Sequence, residues 1–413
     1  MVKLTIVSAD GHAAAPLPDY RPYIEQRWMP EFNAAVEHAA EVAIDFFAIM
    51  DPPAAKAWKE GLYDTGVILG RSDPDLRIKA LAAEGIVAEI LFPDGAPFGA
   101  GGLGSEFDRC PLDQERAGAH AYNRWLADFI SGYDKQLGAQ AVIVLTDDVD
   151  EAIADVQWAA ERKFRGLVMP GISDDRPQVF DPRYGRLWSA IEETGLVLNY
   201  HGGIGLPTYG PKMDRIALDV RVQLAGTEYP FFAHRPLWHL IWGGVLERHP
   251  KLRVAFSEQH SDWVPAILAK LDFTWEFGRY NKQLLHSVVP HKPSFYWDRQ
   301  CFVGSSVLSR HDLQAREGIG IDNMMFGADF PHPEGTCMRT LDYLQAIVPP
   351  ANMSEAELRT FLAGTAIDVF GFDADYLAQK AEECGHTAEA VQTALPEERL
   401  ESLRFSDVFR PAT

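Results

Sequence analysis

Cysteine is scarce in this chain. There are four in 413 residues, Cys110, Cys301, Cys337 and Cys384, far apart and without a Cys-x-x-Cys pair. That argues against a disulfide scaffold and fits reduced thiols in a cytoplasm, the location expected here. Positive charge is also short. Lysine and arginine number 38 against 59 acidic residues, a net charge of −21. Such a balance argues against a nucleic-acid partner and an anionic membrane surface, but not against an anionic substrate, whose fate local cations decide. No apolar run reaches the length of a membrane span. The first apolar stretch is too short for a signal peptide and has no cleavage site after it. Internal repeats and low-complexity blocks are missing too. The glycine-rich stretch at 99–104 does not read Gly-x-Gly-x-x-Gly at the head of a helix, so an open dinucleotide-binding sheet is set aside.

What is present is an ordinary globular balance, 47% hydrophobic and 23% charged, in a chain long enough for one large barrel or two domains. Eight apolar, β-branched segments recur at about 3–8, 87–92, 139–145, 165–169, 196–200, 252–257, 300–304 and 323–328. Helical patterns lie between them. Asp73-Pro74 reads as an N-cap with proline at the first helical position, and Gly195 as the stop of a helix over 182–194. Eight such units predict an α/β fold, a (β/α)8 TIM barrel over residues 1–370. Insertions at 13–72, 202–230 and 273–298 interrupt the spacing. The first two follow strands and are expected to wall a pocket on the C-terminal face, the first with aromatics such as Tyr20, Trp28 and Trp58. The acidic extension at 371–413 is expected to wrap the surface or to serve as an arm of a homodimer or higher homo-oligomer.

Polar residues at the predicted strand ends carry the chemistry. The first strand runs into Asp10-Gly11-His12, and alternation puts Asp10 and His12 on one side of an extended chain. The fifth ends in His201-Gly202-Gly203, the sixth in Glu258-Gln259-His260, and the eighth in Asp329-Phe330-Pro331-His332. In a barrel these ends share one rim. Two imidazoles and two carboxylates make a protein ligand set for a catalytic divalent ion with a position left open. Zinc suits the imidazoles best, and two carboxylates admit manganese. His234, His239 and His249 lie in or beside a helix and read as structural.

The motifs together resemble the amidohydrolase superfamily, within it the amidohydrolase-related group that includes the aminocarboxymuconate-semialdehyde and γ-resorcylate decarboxylases. The resemblance rests on Ser8-Ala9-Asp10-Gly11-His12, His201-Gly202-Gly203, the stretch Leu240 to Pro250, Glu258 through Pro265, and Gly327 to His332. It implies that Asp10, His12, His201 and Asp329 hold one metal, with Asp329 also moving protons. The chain departs from the pattern at strand six, where those decarboxylases carry a histidine and this chain has Glu258. His260, two residues on, would share the face of Glu258 on an extended strand and is the other candidate acid or base. Strand four ends in Val168-Met169-Pro170 without the lysine of binuclear members, which favours a single metal. His332 is expected to orient or cover the site, and Arg221 and Arg235 to pair with a substrate carboxylate.

Two enzyme readings follow. A non-oxidative carboxy-lyase acting on a small aromatic or enol-type carboxylic acid leads. A hydrolase of an amide, lactone or C–C bond, using metal-activated water, is the alternative. The third reading, a binding or scaffold protein that keeps the barrel but not the chemistry, is disfavoured because all four ligand candidates are retained.

Overall fold

The computed structural model describes residues 3–41, 47, 50, 52–102, 110–171, 176–204, 217–278, 281–306 and 309–403. Eight parallel strands follow one another in chain order around a barrel: β1 (Val7–Ala13), β2 (Ala88–Pro93), β3 (Leu137–Val142), β4 (Gly166–Val168), β5 (Val197–His201), β6 (Val254–Ser257), β7 (Cys301–Ser305) and β8 (Met324–Phe326). Every residue of these strands is buried, inside by the barrel core and outside by the helices. That double burial is why the strands read as apolar runs and not as alternating ones.

The helices start and stop where local chemistry dictates. Asp73 accepts a hydrogen bond from Leu76 N and caps the Pro74–Ala83 helix. Gly195 closes the Gly185–Thr194 helix in the left-handed conformation. Three expectations need correcting. β1 starts at Val7 and runs to Ala13, so Asp10 and His12 lie within the strand and not beyond it; its pairing with β2 skips a residue between Ser8 and Gly11. Residues 205–216 lie outside the described residues, and from Leu218 the insertion belongs to a 25-residue helix, Leu218–Trp242. Pro230 and Pro236 sit inside that helix and disguise it as a loop. Residues 273–298 are largely helical as well, in Trp263–Phe277, Lys282–Val288 and Pro293–Gln300.

The last seam of the barrel is closed by one bridge, Gly11 to Phe330, and not by a ladder. His12 N donates to Phe330 O at 2.6 Å, and Asp329 N donates to Asp10 O at 2.9 Å. The tail begins at the opposite end of the molecule, where Leu4 N donates to His386 O at 2.7 Å. Its buried Leu377, Ala381, Val391 and Leu395 pack it down, and it climbs the outside until Leu403 reaches a cavity beside His332. No helix among the described residues is long and apolar enough to cross a membrane.

Candidate metal centre

Asp10, His12, His201 and Glu258 each offer an atom within 4.8 Å of the others, and so do His12, Glu258, Asp329 and His332. The two sets share His12 and Glu258, so the six side chains form one cluster at the C-terminal rim. His12 Nε2 lies 3.6 Å from Asp10 Oδ1, 3.3 Å from Asp329 Oδ1 and 3.8 Å from Glu258 Oε2. His201 Nε2 lies 3.2 Å from both Asp10 Oδ1 and Glu258 Oε2.

Both imidazoles are turned by their second nitrogen. His12 Nδ1 donates to Pro93 O at 3.1 Å, and His201 Nδ1 donates to Gly202 O at 2.6 Å. A proton held there leaves Nε2 with a lone pair facing the cluster, the tautomer a metal ligand needs. Ser306 Oγ donates to Asp10 Oδ2 and fixes that carboxylate. Two strand-end residues were missed in the sequence, Ser306 after β7 and Asp94 after β2. The rule that found the others, a polar residue ending an apolar strand, reaches them too.

Asp329 and Glu258 are aimed by unusual backbone. Both adopt positive φ, 55° and 53°, a region L-residues occupy at a cost that surrounding structure must offset. The tight turn at Glu258 also explains a glycine: a Cβ on Gly202 would lie 2.3 Å from Glu258 O. This turn corrects the reading of strand six. The strand ends at Ser257, and Glu258 and His260 are both left-handed, so alternation does not carry past Ser257. His260 departs from the cluster; its Nδ1 lies 3.9 Å from Asp312 Oδ2 and its side chain is 44% exposed.

His332 joins the cluster, with Nδ1 2.8 Å from Asp329 Oδ1 and Nε2 3.4 Å from Asp94 Oδ1. It also lines a cavity of about 110 Å³ together with Trp58, Leu62, Cys337, Met338 and Tyr343. Trp58 comes from the 13–72 insertion, and its indole donates to Pro331 O at 2.9 Å. Arg235 is not brought in. It sits in the middle of the Leu218–Trp242 helix, where it helps burial hold His239 down to about 4, and it makes no ion pair with the cluster among the described residues. The Arg221 side chain lies outside the described residues.

The electrostatics ask for a cation. Three carboxylates meet in a nearly dry site, and the titratable groups respond by holding protons. Burial opposes charge on His201, but Asp10 and Glu258 outweigh it and push the imidazole up to about 9. Burial, with Asp329 and Asp10 nearby, raises Glu258 well above the carboxylate range. Burial would raise Asp329 as well, yet His332 and His12 keep it well below that range. Asp329 in turn holds His332 well above the ordinary imidazole value, against burial. Meanwhile Asp329 Oδ2 is buried without a hydrogen-bond partner, and His12 Nε2 faces only carboxylate oxygens, at 3.3–3.8 Å. Unpaired buried donors and acceptors are costly. A divalent cation would satisfy these lone pairs and lift the repulsion at once, so the donor set fits one.

A family model described as amidohydrolase matches residues 70–372, most of the chain. The chain belongs to the amidohydrolase family. No curated protein matches this amidohydrolase. Solved structures do, at identities that speak to fold. An amidohydrolase from Mycobacterium avium subsp. paratuberculosis superposes with a TM-score of 0.66 at 18% identity, covering 90% of this chain and 100% of that one. The 5-carboxyvanillate decarboxylase of Sphingomonas paucimobilis gives 0.61 at 19%, again over 90% and 100%. A dihydroxybenzoic acid decarboxylase from Polaromonas, solved with bound manganese, gives 0.58 at 16% over 89% and 97%. Family and fold make this amidohydrolase an enzyme.

Proposed function

We propose that this amidohydrolase is a metal-dependent, non-oxidative carboxy-lyase acting on a small aromatic or enol-type carboxylic acid. One observation carries the reading. Asp10, His12, His201 and Asp329 have side chains 0–2% exposed, whereas Glu258 and His332 are 22% and 25% exposed and form the open face of the cluster. The four sealed side chains hold the ion; the two open ones meet the substrate. Decarboxylase structures with this fold support the choice of reaction, and a manganese-bound one supports a divalent ion, with zinc the other candidate.

A bound divalent ion would neutralise the substrate carboxylate and an adjacent hydroxyl or enol oxygen. The protein's part is positioning and proton transfer. Glu258 stands at the open face, where it would deliver a proton to the carbon that loses CO2. Asp329, ionised and fixed by its backbone, returns or removes a proton beside it, and the His332 imidazolium steadies negative charge on the substrate. Trp58, Met338 and Tyr343 offer the apolar cavity where a ring could lie.

One observation favours a second reading. Glu258 adds a third carboxylate at the open face, and when ionised it would repel a substrate carboxylate. A neutral amide, lactone or C–C substrate escapes that repulsion, and Glu258 would then assist the leaving group while Asp329 takes a proton from water. The deciding experiment is a substrate screen on chelator-stripped enzyme reloaded with Zn²⁺ or Mn²⁺, scoring CO2 release and hydrolysis together. CO2 release restored by metal supports the lyase; hydrolysis without CO2 release replaces it. Self-association is proposed as well, since Phe273, Phe277 and Leu284 are 60–65% exposed on successive helices. Light scattering that gives a monomer mass would remove it.

A further inference from the structure

Gly11 separates Asp10 from His12, and it cannot be any larger residue. A Cβ there would fall 2.1 Å from Glu89 Oε1 and 2.8 Å from Arg77 Nη2. Beneath the strand lies an ion pair with both side chains fully buried. Arg77 comes from the Pro74–Ala83 helix and Glu89 from β2. The guanidinium makes three contacts of different kinds. Its Nε donates to Glu89 Oε2 at 2.6 Å, its Nη1 donates to the carbonyl oxygen of His12 at 2.8 Å, and its Cζ lies 4.0 Å from the centre of the Phe330 ring, over the ring face. His12 and Phe330 are the two sides of the single-bridge seam, and Phe330 follows Asp329 directly.

A buried ion pair is a poor way to gain stability, because desolvation consumes much of the attraction. A leucine on the helix would dock it as well. A planar fork that accepts one carboxylate, reaches one carbonyl and stacks on one ring is something only arginine supplies. We infer that Arg77, oriented by Glu89, is a positioning residue of the metal centre: through the His12 carbonyl and the Phe330 ring it sets how far β1 stands from the turn that carries Asp329. That distance fixes the 3.3 Å between His12 Nε2 and Asp329 Oδ1. Arg77 itself touches none of the lone pairs that face the cluster. The inference rests on reading the cluster as a divalent-cation site.

The test measures Mn²⁺ affinity of the full chain by competition with a fluorescent chelator. It also records Co²⁺ absorption bands and the thermal midpoint of the chelator-stripped protein. Three variants are compared with wild type: Arg77→Lys, Glu89→Gln, and the double variant Arg77→Met/Glu89→Leu. Arg77→Lys should weaken Mn²⁺ binding by about 10- to 100-fold, the range for groups that orient metal ligands, and shift the Co²⁺ bands. The double variant leaves no buried charge unpaired, so its metal-free midpoint should sit near wild type while its affinity stays weak. That separation is what a merely structural pair would not give. Affinity within twofold of wild type in Arg77→Lys, or affinity in the double variant that recovers along with the midpoint, overturns the inference. Should neither of these fold, Glu89→Gln decides by the same ratio. Wild type that binds no Mn²⁺, Zn²⁺ or Co²⁺ overturns the cation site itself and the inference with it.

Discussion

The site has two halves built on different principles. The β1–β8 half carries Asp10, His12 and Asp329, is dry, and is braced from below by Arg77 and Glu89. The β6 half carries Glu258 on a left-handed turn, is partly open, and hangs on a neighbouring buried carboxylate. That carboxylate is Asp312. It accepts from Ser261 Oγ at 3.0 Å and Asp262 N at 3.2 Å on one side, and from Ser309 N at 2.8 Å and Ser309 Oγ at 2.5 Å on the other. The difference separates two jobs. On the proposed reading, the groups that would hold a cation are placed where water is excluded. The group that must meet substrate stands on a turn held by hydrogen bonds that can be changed one at a time.

Breaking the sealed half should cost most. Asp329→Asn keeps the shape and one possible oxygen ligand but removes the proton carrier. kcat should fall by at least about 10²-fold, the low end for general acid–base catalysis, with circular dichroism unchanged. A metal-loaded variant with wild-type turnover would move the proton role to Glu258. Next comes the hinge of the open half. Burial alone would raise Asp312, but His260 and Ser309 outweigh it and hold it down to about 2 against an ordinary 3.8. A depressed carboxylate contributes stability above its unfolded value and loses it as pH falls toward the folded one. The shift corresponds to about 2 kcal/mol. Asp312→Asn should therefore be less stable than wild type by about that amount at pH 7 in urea titrations, and the gap should narrow from pH 5 to pH 3. A gap that stays constant with pH would assign the loss to packing. The smallest effect is expected at His260, which lies outside the cluster. His260→Ala should leave kcat within about twofold and, by removing the half-exposed imidazole beside Asp312, cost about 1 kcal/mol, less than Asp312→Asn. A 10-fold fall in kcat would put His260 back in the chemistry.

The barrel was legible because eight doubly buried strands are visible as apolar runs, and Asp10, His12, His201 and Asp329 because a polar residue stands out at the end of such a run. Strand six misled for a local reason. Glu258 and His260 take left-handed backbone without being glycine, so nothing in the letters marks the break in alternation. Arg77 was invisible for the opposite reason. On a helix an arginine reads as solvated surface, and only the partner on β2, twelve residues away, and the ring of Phe330 reveal that it is buried. The long helix hid behind Pro230 and Pro236, residues that weigh toward loops when read alone.

The single bridge that closes the barrel has a consequence for how the chain is made. Asp10 and Asp329 lie at opposite ends of the sequence, and across their seam run one bridge, Gly11 to Phe330, and the hydrogen bond from Asp329 N to Asp10 O. A nascent chain that has folded β1 to β4 owns Asp10 and His12 and none of the cluster's other four side chains. High-affinity metal capture therefore waits for the last strand to arrive, after the longest loop closure in the barrel has been met. An ion that bound only the finished ring would stabilise it by mass action, and act as a latch on a seam closed by a single bridge.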